Sequence, residues 1–436
     1  MKSYTVLPKL DVYKPDVSLV LMGMMLQVAV FMGLLGLGNG SGEDGNRSRQ
    51  LLWGLLGTTA IIYMVISKLL ENKRRFSFGG WPLVLILAYV CVSAAWSVDQ
   101  SATIKRSVLL LLLVSVCCVS AGAWRDDWNK DTWSKLLASP LLCLVGISLL
   151  VTIITPGRAF TELGWRGIAS HKNEAGQMMA ISTILFLYGV CHEKLTGRMR
   201  FGLVLVTFTC LIMAKSTTAL LGLMIGVGLT ELITIRSSFR RLGTWQLAII
   251  AIILISSCLL FFGFQLDLLP SVHSIYLKFL AALGKSDTFT GRTEIWELVL
   301  GESRFHNPWL GGGYGAFWSG RDGISGYVIL GSNLYPGQAH NGYVDIYNDL
   351  GILGLSLMIV VLLAGLYQAR RLAVIGHPEA KLHLAILFMC IFLNLGESTF
   401  LRTTTFTNVV FLASFIRTAA IARQSRVYSK GSPLLQ

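Results

Sequence analysis

Long apolar stretches separated by short polar segments make up most of this chain of 436 residues. Twelve of these stretches resemble membrane-spanning helices, which need about 20 predominantly apolar residues. They lie near residues 17–38, 50–70, 81–97, 107–123, 134–155, 174–191, 201–214, 218–235, 246–265, 343–368, 381–397 and 404–422. The pattern predicts an all-α, polytopic membrane protein, because only helices and closed barrels satisfy their backbone groups within lipid.

One polar segment is much longer than the others and divides the predicted spans into two groups. Residues 1–265 hold spans one to nine, residues 266–342 form a large loop, and residues 343–422 hold spans ten to twelve. Residues 423–436 form a polar tail. We expect the large loop to be partly helical and to carry the catalytic residues, since loops on a rigid scaffold often carry function.

Composition agrees with a membrane protein and excludes a nucleic-acid-binding one. The chain is 53% hydrophobic and 14% charged, with a mean hydropathy of +0.62, whereas soluble domains carry about 25% charged residues. The net charge of +14 is spread over short loops and forms no basic patch. Lys and Arg are richer in alternate connections, which predicts that both termini lie inside and the large loop outside.

The sequence predicts neither a metal site nor a disulfide framework in the loops. All eight cysteines lie within apolar stretches, where they act as small packing residues. Glu43 and Asp44 form an acidic pair in an early outer loop, but flanking glycines indicate a turn. We therefore expect no metal and no cofactor. The first span is too long for a signal-peptide core, so we expect no cleavable signal.

The first unusual outer segment lies just before the sixth span. It contains Arg166, His171, Lys172 and Asn173. A helix that begins near Asn173 would present free N–H groups and the positive end of its dipole. Together with the cationic side chains, these groups favour an anion such as phosphate. The alternative is that Arg and Lys merely extend to the membrane interface.

Two further segments belong to the large loop. Arg292 lies at the predicted start of an amphipathic helix, although a plain structural helix explains it equally well. His340 comes one turn before the tenth span, and histidine is suited to proton transfer near neutral pH. The alternatives are a structural histidine at the interface and an Asn341 that only caps the helix. The predicted topology brings these segments to one face of the membrane.

The motifs resemble those of the O-antigen ligase and Wzy polymerase family over about residues 80–420. The resemblance rests on Arg-Gly followed by His-Lys-Asn at 166–173, Gly-Arg-Thr-Glu-Ile-Trp at 291–296, Asn-Pro-Trp-Leu-Gly-Gly-Gly-Tyr-Gly at 307–315, and a His-Asn stretch with later glycines at 340–354. Trp-Ser-Val-Asp at 96–99, with Arg106 downstream, also resembles an early family pattern. The order and spacing of these motifs carry the resemblance more than any single one.

The resemblance implies a glycosyltransferase of the bacterial inner membrane whose active site faces the periplasm. Such an enzyme moves a glycan from an undecaprenyl-pyrophosphate donor to a hydroxyl of a lipid-linked acceptor glycan, without a metal and with inversion. By the resemblance, His340 is the catalytic base, and Arg166 and Arg292 hold the pyrophosphate. Secondary candidates are His171, Lys172, Asn173, Asn341, Arg106 and Lys215. Membrane lipid is a further partner, and a chain-length regulator is compatible with this role.

Three functions remain open at the level of the sequence. The His-Lys-Asn triplet at 171–173 is more similar to exopolysaccharide polymerases than to lipid A-core ligases, which favours polymerisation of repeat units. A ligase that uses the same donor is the first alternative. A transporter of lipid-linked sugars is the second, but it should keep ionisable residues inside its spans or show paired broken helices. Most ionisable residues here lie at span ends.

Overall fold

The structure is a computed structural model, and it describes residues 47–69, 75–121, 123–124, 132–162, 164–188, 196–237, 292–301, 307–320, 323–332, 337–403 and 405–431. The predicted spans at 17–38 and 246–265 lie outside the described residues. So do Glu43, Asp44 and the large-loop residues 266–291.

The described residues form thirteen α-helices, one short 3₁₀ helix (Ser93–Ala95) and two very short antiparallel strand pairs. The helices are α1 (Arg47–Leu69), α2 (Trp81–Val92), α3 (Gln100–Ser120), α4 (Thr132–Ile154), α5 (Pro156–Ala159), α6 (Lys172–Tyr188), α7 (Gly197–Met213), α8 (Thr217–Ser237), α9 (Arg292–Gly301), α10 (Gly326–Ser332), α11 (Gly342–Val374), α12 (Ala380–Leu393) and α13 (Phe406–Gly431). Strand β1 (Arg75–Phe76) pairs with β2 (Ala123–Trp124), and β3 (Phe160–Thr161) pairs with β4 (Gly164–Trp165).

The predicted all-α membrane fold is confirmed. Each of the ten predicted spans that fall within the described residues overlaps one of the helices α1–α4, α6–α8 or α11–α13. Six of the described helices are long and apolar enough to cross a membrane, and α2 and α12 are shorter apolar helices. Helices α6 and α7 have 17 residues each, near the lower limit for a span. The total of twelve spans stays a prediction.

Helix α13 is the central element of the bundle. Its apolar window is 94% buried, and it packs against α3, α6, α11 and α12. Polar side chains on it are satisfied by neighbours: Thr407 donates to Gln177 on α6, and Asn408 donates to the carbonyl of Arg402. Buried polar groups of this kind fix which helix faces meet, because an unpaired one is costly in a membrane.

Helix α11 is interrupted at Gly351, and the large loop fills the interruption. Gly351 has φ +67°, a left-handed conformation that favours glycine. The amides of Gly312 and Gly313 donate to the carbonyls of residues 348 and 349, while the carbonyls of residues 308 and 309 accept from the amides of residues 352 and 353. The segment 307–313 therefore replaces the helical hydrogen bonds that α11 loses at its break.

The helix ends that carry the predicted site residues lie together. Asn173 in the first turn of α6 contacts Glu397 after α12, and Gly164 lies against Ala214 between α7 and α8. Tyr314 of the loop donates to the carbonyl of Leu401. We call this the site end of the bundle. The predicted grouping of these segments on one face of the bundle agrees with their contacts.

The opposite end of the bundle holds two ion-pair groups that the sequence analysis did not predict. Glu379 lies 3.0 Å from Arg417 and 3.6 Å from His383, and all three side chains are buried. Glu231 on α8 pairs with Lys381 on α12 at 2.9 Å. Both groups tie α12 to a neighbouring helix. The buried charges of Glu379 and Arg417 are tolerated because they are partners, whereas Lys381 and Glu231 are partly exposed.

Candidate functional site

His340 lies in the turn that leads into α11 and has a strained backbone. Its φ is +51°, which is uncommon for a residue other than glycine and indicates a local constraint. The amide of Ala339 donates to Asp345 at 3.1 Å, and its carbonyl accepts from the Trp296 indole at 2.7 Å. The amide of Asn341 donates to Ser398 at 3.0 Å. Bonds on both sides therefore hold His340 in this conformation.

The His340 ring faces a carboxylate. Its Nδ1 is 3.7 Å from Glu397 Oε2 and 3.2 Å from the Gln338 side-chain nitrogen. The His340 side chain is 33% exposed, whereas that of Glu397 is only 9% exposed. Asn173 donates to the other carboxylate oxygen, Oε1, at 2.7 Å. Glu397 thus joins two of the predicted site residues, which come from distant parts of the chain.

Glu397 is the site residue that sequence reasoning missed. It lies in a compact turn, where the amide of Gly342 donates to the carbonyls of Asn394 and Glu397 and the Asn394 side chain accepts from the amide of Thr399. A Cβ on Gly342 would meet Asn394 Oδ1 at 2.1 Å. The turn and the start of α11 are therefore in close contact. Its one signal in the sequence is a carboxylate at the end of an apolar span, which does not distinguish it from other polar residues at span ends.

Lys172 and Lys215 form the cationic part of the site. The pKa of Lys172 is lowered by burial and, to a smaller extent, by the nearby ammonium of Lys215. Lys215 itself has φ +50°, in the turn between α7 and α8. The β3–β4 hairpin packs closely onto this turn. A Cβ added to Gly164 would lie only 2.7 Å from the carbonyl oxygen of Ala214. The two positive charges repel each other, and a bound anion would offset this repulsion.

His171 connects the cations with His340 and Glu397. Burial lowers the pKa of His171, the carboxylates of Glu397 and Glu174 raise it, and Lys172 and His340 lower it further. These charged groups act on His171 because they lie close to it in the fold. His171, Lys172, Lys215, Glu397 and His340 therefore form one group of charges, which we call the His340 cluster. The members of this cluster lie at the start of α6, just before α8 and α11, and just after α12.

Arg166 lies beside this cluster, directly after β4. Its Nε donates to the carbonyl of Arg158 at 2.8 Å, and its Nη1 lies 3.4 Å from the carbonyl of Ser170. The neighbouring Trp165 is buried and donates to Thr152 at 2.8 Å, which anchors the hairpin. Arginine has five N–H donors, so two backbone contacts are compatible with a bidentate ligand contact as well.

Arg292 is the first residue of α9, one helical turn before Trp296. Trp296 donates to the carbonyl of Ala339, so α9 contacts the residue that precedes His340. Ile295, Val299 and Phe317 form a small core within the large loop, and this core supports α9. The backbone of α9 is thereby fixed next to His340, while the Arg292 side chain lies outside the described part of the structure.

Two secondary candidates have contacts that indicate structural roles. Arg106 donates to the carbonyl of Gly315 and anchors the glycine-rich turn. Arg106 lies within α3. Asp99 caps the start of this helix, where Asp99 Oδ1 accepts from the amide of Ala102 at 2.9 Å. Asn341 caps α11, and its side chain accepts from the amides of Tyr343 and Val344. The structure does not bring Arg106 into the His340 cluster through any contact that it describes.

Within the described ranges, no group of three or more His, Cys, Asp and Glu side chains is arranged to hold a metal ion. Glu397, His171 and His340 are near one another, but their described contacts are to Asn173, Gln338 and each other. The expectation of metal-independent chemistry stays a prediction.

Comparison with known proteins gives two similarities. Residues 202–359, which include His340 and the start of α9, match the family model described as O-antigen ligase. The exopolysaccharide production protein ExoQ of Rhizobium meliloti (strain 1021) is 25% identical over 304 residues, covering 65% of this chain and 64% of that protein. The match thus spans less than two thirds of this relative's length. Both similarities confirm the resemblance that the motifs predicted.

Proposed function

We propose that this chain, as a relative of the O-antigen ligase and Wzy-type family, transfers a glycan from an undecaprenyl-pyrophosphate donor to a hydroxyl of a lipid-linked acceptor. The comparisons support a general role in polysaccharide polymerisation or ligation. The single observation that supports the finer proposal is the His340–Glu397 pair beside Lys172 and Lys215. A base and an anion-binding group at one place are what this transfer needs.

His340 acts as the general base in this proposal. With the proton of a neutral ring on Nδ1, facing Glu397, and with the Gln338 amide turned so that its oxygen rather than its nitrogen meets Nδ1, the Nε2 lone pair is available for the acceptor hydroxyl. The acceptor oxygen attacks the anomeric carbon as its proton moves to Nε2, and the bond from that carbon to the pyrophosphate breaks. Glu397 stabilises the resulting imidazolium, as carboxylates do beside other basic histidines. Such a base contributes about 10² to 10⁴ in rate, and direct displacement inverts the anomeric centre.

Arg166 and Arg292 hold the pyrophosphate, Lys172 and Lys215 add positive charge beside it, and His171 adds charge only when it is protonated at acidic pH. The leaving group departs with the bonding electron pair, so its negative charge grows in the transition state. Charge-assisted hydrogen bonds to it contribute roughly 1.5–3 kcal/mol each. The position of α9, tied through Trp296 to Ala339, supports a role for Arg292 in holding the group that leaves.

Polymerisation of repeat units is the form of the reaction that we favour. The relative is named as an exopolysaccharide production protein, and the His-Lys-Asn triplet at 171–173 resembles exopolysaccharide polymerases. The triplet also has a described role, because Asn173 orients Glu397. The alternative is a ligase that passes the finished glycan to lipid A-core. Both reactions use the same donor chemistry, so they differ in the acceptor alone.

A transporter of lipid-linked sugars is the alternative of another class. The described helices do contain a break, at Gly351 in α11, and buried charges at Glu379 and Arg417. The break is filled by the loop segment 307–313 rather than opening to a pathway, and the buried charges neutralise each other. These features favour an enzyme with a fixed site.

The remaining proposals concern the surroundings of the site. We place both termini in the cytoplasm and the site end at the periplasmic face of the bacterial inner membrane. In this arrangement the membrane units at 1–265 and 343–422 flank the catalytic loop at 266–342, and residues 423–436 form a cytoplasmic tail. Membrane lipid and the two lipid-linked glycans are the partners, and a chain-length regulator is compatible with this arrangement.

Complementation of a strain deleted for this gene tests the function. Wild type and His340→Ala are expressed to equal membrane levels, and both surface polymer and lipopolysaccharide are analysed. Loss of long polymer with single repeat units left on the lipid carrier supports polymerisation. Long chains stranded on the carrier, with bare lipid A-core, support the ligase. Normal polymer and normal lipopolysaccharide in His340→Ala would contradict the catalytic proposal and favour transport.

A further inference from the structure

A cavity of about 470 Å³ lies between the α2–α3 turn and the large loop. Ser97, Asp99 and Gln100 line one side of it, and Ser319 and Ile324 line the other. Its volume falls in the range of about 300–1,000 Å³ that is typical of pockets for small ligands. None of these residues belongs to the His340 cluster, and the proposed transfer gives them no role so far.

Both walls of the cavity are held by internal hydrogen bonds. On the membrane side, Asp99 caps α3 and the Ser97 hydroxyl lies 2.7 Å from that of Thr103. On the loop side, the amide of Ile324 donates to the Ser319 hydroxyl at 3.1 Å, and Ser325 donates to the carbonyl of residue 320 at 3.3 Å. A preformed cavity binds a ligand with a smaller loss of conformational entropy.

The chemistry of the lining suits an uncharged ligand that is rich in hydroxyl groups. Asp99 supplies an exposed carboxylate, Gln100 supplies an amide, and Val98 and Ile324 supply apolar surface. These groups accept and donate hydrogen bonds to neighbouring hydroxyls. None of the described lining residues is cationic, and Arg321 and Asp322 lie outside the described residues. A pyrophosphate would meet the Asp99 carboxylate here, whereas the His340 cluster offers it cations.

The cavity is connected to the turn that carries His340. Trp318, which precedes the lining residue Ser319 along the chain, donates to Asp345 Oδ1 at 2.7 Å. The same oxygen accepts from the amide of Ala339 at 3.1 Å, and the other oxygen pairs with Arg402 at 3.1 Å. One buried carboxylate therefore fixes the cavity wall and the backbone beside His340 together.

We propose that this cavity is a carbohydrate subsite that binds sugar rings of the acceptor glycan. The inference rests on the proposed transfer and assigns its two substrates to different regions. The charged head of the donor occupies the His340 cluster, and the neutral acceptor glycan occupies the cavity. It also gives the Trp-Ser-Val-Asp segment at 96–99 a function, since Ser97, Val98 and Asp99 all line the cavity.

Binding of free glycan by the full-length protein in nanodiscs tests the subsite. The probe is the glycan released by mild acid from lipid-linked repeat units of the deletion strain, so it carries no pyrophosphate. Gln100→Trp fills the cavity, and Asp99→Asn removes the charge while keeping a good helix cap. The matched control is Ser101→Trp, at the adjacent exposed position outside the lining. Thermal unfolding of each variant verifies that it is folded.

The subsite predicts that Gln100→Trp weakens glycan binding at least tenfold, that Asp99→Asn weakens it less, and that Ser101→Trp binds like wild type. Equal binding by Gln100→Trp and wild type, or no saturable binding by wild type, overturns the subsite. Transfer from the intact lipid-linked donor is measured on the same preparations. Undiminished transfer by His340→Ala would overturn the proposed function, while the binding series would still decide on the cavity.

Discussion

Asn173 donates a 2.7 Å hydrogen bond to Glu397, and the second oxygen of that carboxylate faces His340. A residue at the start of α6 thereby sets the orientation of a carboxylate that follows α12. The two partners are 224 residues apart in the sequence, so the pair exists only when the bundle is assembled. In the proposed mechanism, this carboxylate determines which ring nitrogen of His340 carries the proton.

Replacing Glu397 by Gln should lower kcat by roughly 10- to 100-fold, a loss typical of removing the carboxylate partner of a functional histidine. The amide keeps an oxygen that can accept from Asn173, but it loses the negative charge that stabilises an imidazolium. Steady-state kinetics with lipid-linked repeat units measure the effect. The donor KM should change little, since Glu397 does not contact the pyrophosphate in this proposal.

A comparison with Asn173→Ala separates the charge from its orientation. This variant keeps the Glu397 carboxylate and removes its 2.7 Å contact, so its kcat should fall less than that of Glu397→Gln. An unchanged kcat in Glu397→Gln, in a protein that unfolds at the wild-type temperature, would show that the carboxylate does not assist His340.

Arginine at 292 and 166 should not be replaceable by lysine. Lysine cannot form a bidentate contact with a phosphate, and loss of one charge-assisted bond of about 1.5 kcal/mol or more weakens donor binding roughly tenfold. We expect this loss in Arg292→Lys and Arg166→Lys, measured as binding of the lipid-linked glycan. Arg158→Lys is the control, because the backbone carbonyl of Arg158, not its side chain, contacts Arg166. Equal binding by all three variants and wild type would contradict the assignment.

Donor binding should strengthen as the pH falls below about 6.5, the ordinary pKa of histidine. His171 has a pKa lowered by burial, so it is neutral at pH 7 and gains its proton only in this acidic range. The added charge attracts the pyrophosphate, which stays ionised there. The measurement is made in His340→Ala, so that His171 is the histidine of the cluster that remains. His171→Asn in that background should bind with a flatter pH profile, and an identical profile would exclude His171 as the source.

Gly351→Ala should destabilise the protein far more than Gly376→Ala. Both glycines have a positive φ, at +67° and +70°, which costs another residue about 1–2 kcal/mol. A Cβ at Gly351 would also lie 2.3 Å from the backbone of Trp309, whereas nothing lies within 4 Å of one at Gly376. Thermal unfolding and proteolysis of the large loop measure the difference. Equal unfolding temperatures would mean that the loop segment is not seated in the break.

The helices were predictable because lipid imposes a simple rule on sequence. Every span needs a long apolar stretch, and α4, α8 and α11 each show one with clear polar boundaries. The positions of Asn173 and His340 at helix starts also followed from local signals. Helix α3 began earlier than expected, at Gln100, because its first turn is polar and only the Asp99 cap marks its start.

Contacts between distant segments could not be read from the sequence. Glu397 looks like any polar residue after an apolar span, and its value depends on Asn173 and His340 coming to it through the fold. Arginine is a residue type that often binds anions, yet Arg106 donates to the carbonyl of Gly315 in the glycine-rich turn. In both cases the residue type was informative, and the partner decided the role.

The loop segment that completes α11 precedes that helix along the chain. Pro308 and Trp309, whose carbonyls accept from the amides of Ile352 and Leu353, have therefore left the ribosome before α11 emerges. Unpaired amides are costly within lipid. A span with such an interruption therefore needs the segment that supplies its missing hydrogen bonds to be present when it enters the bilayer. The order of residues along the chain thus suits co-translational insertion: a circular permutant that places residues 307–313 after α11 should insert this span less efficiently.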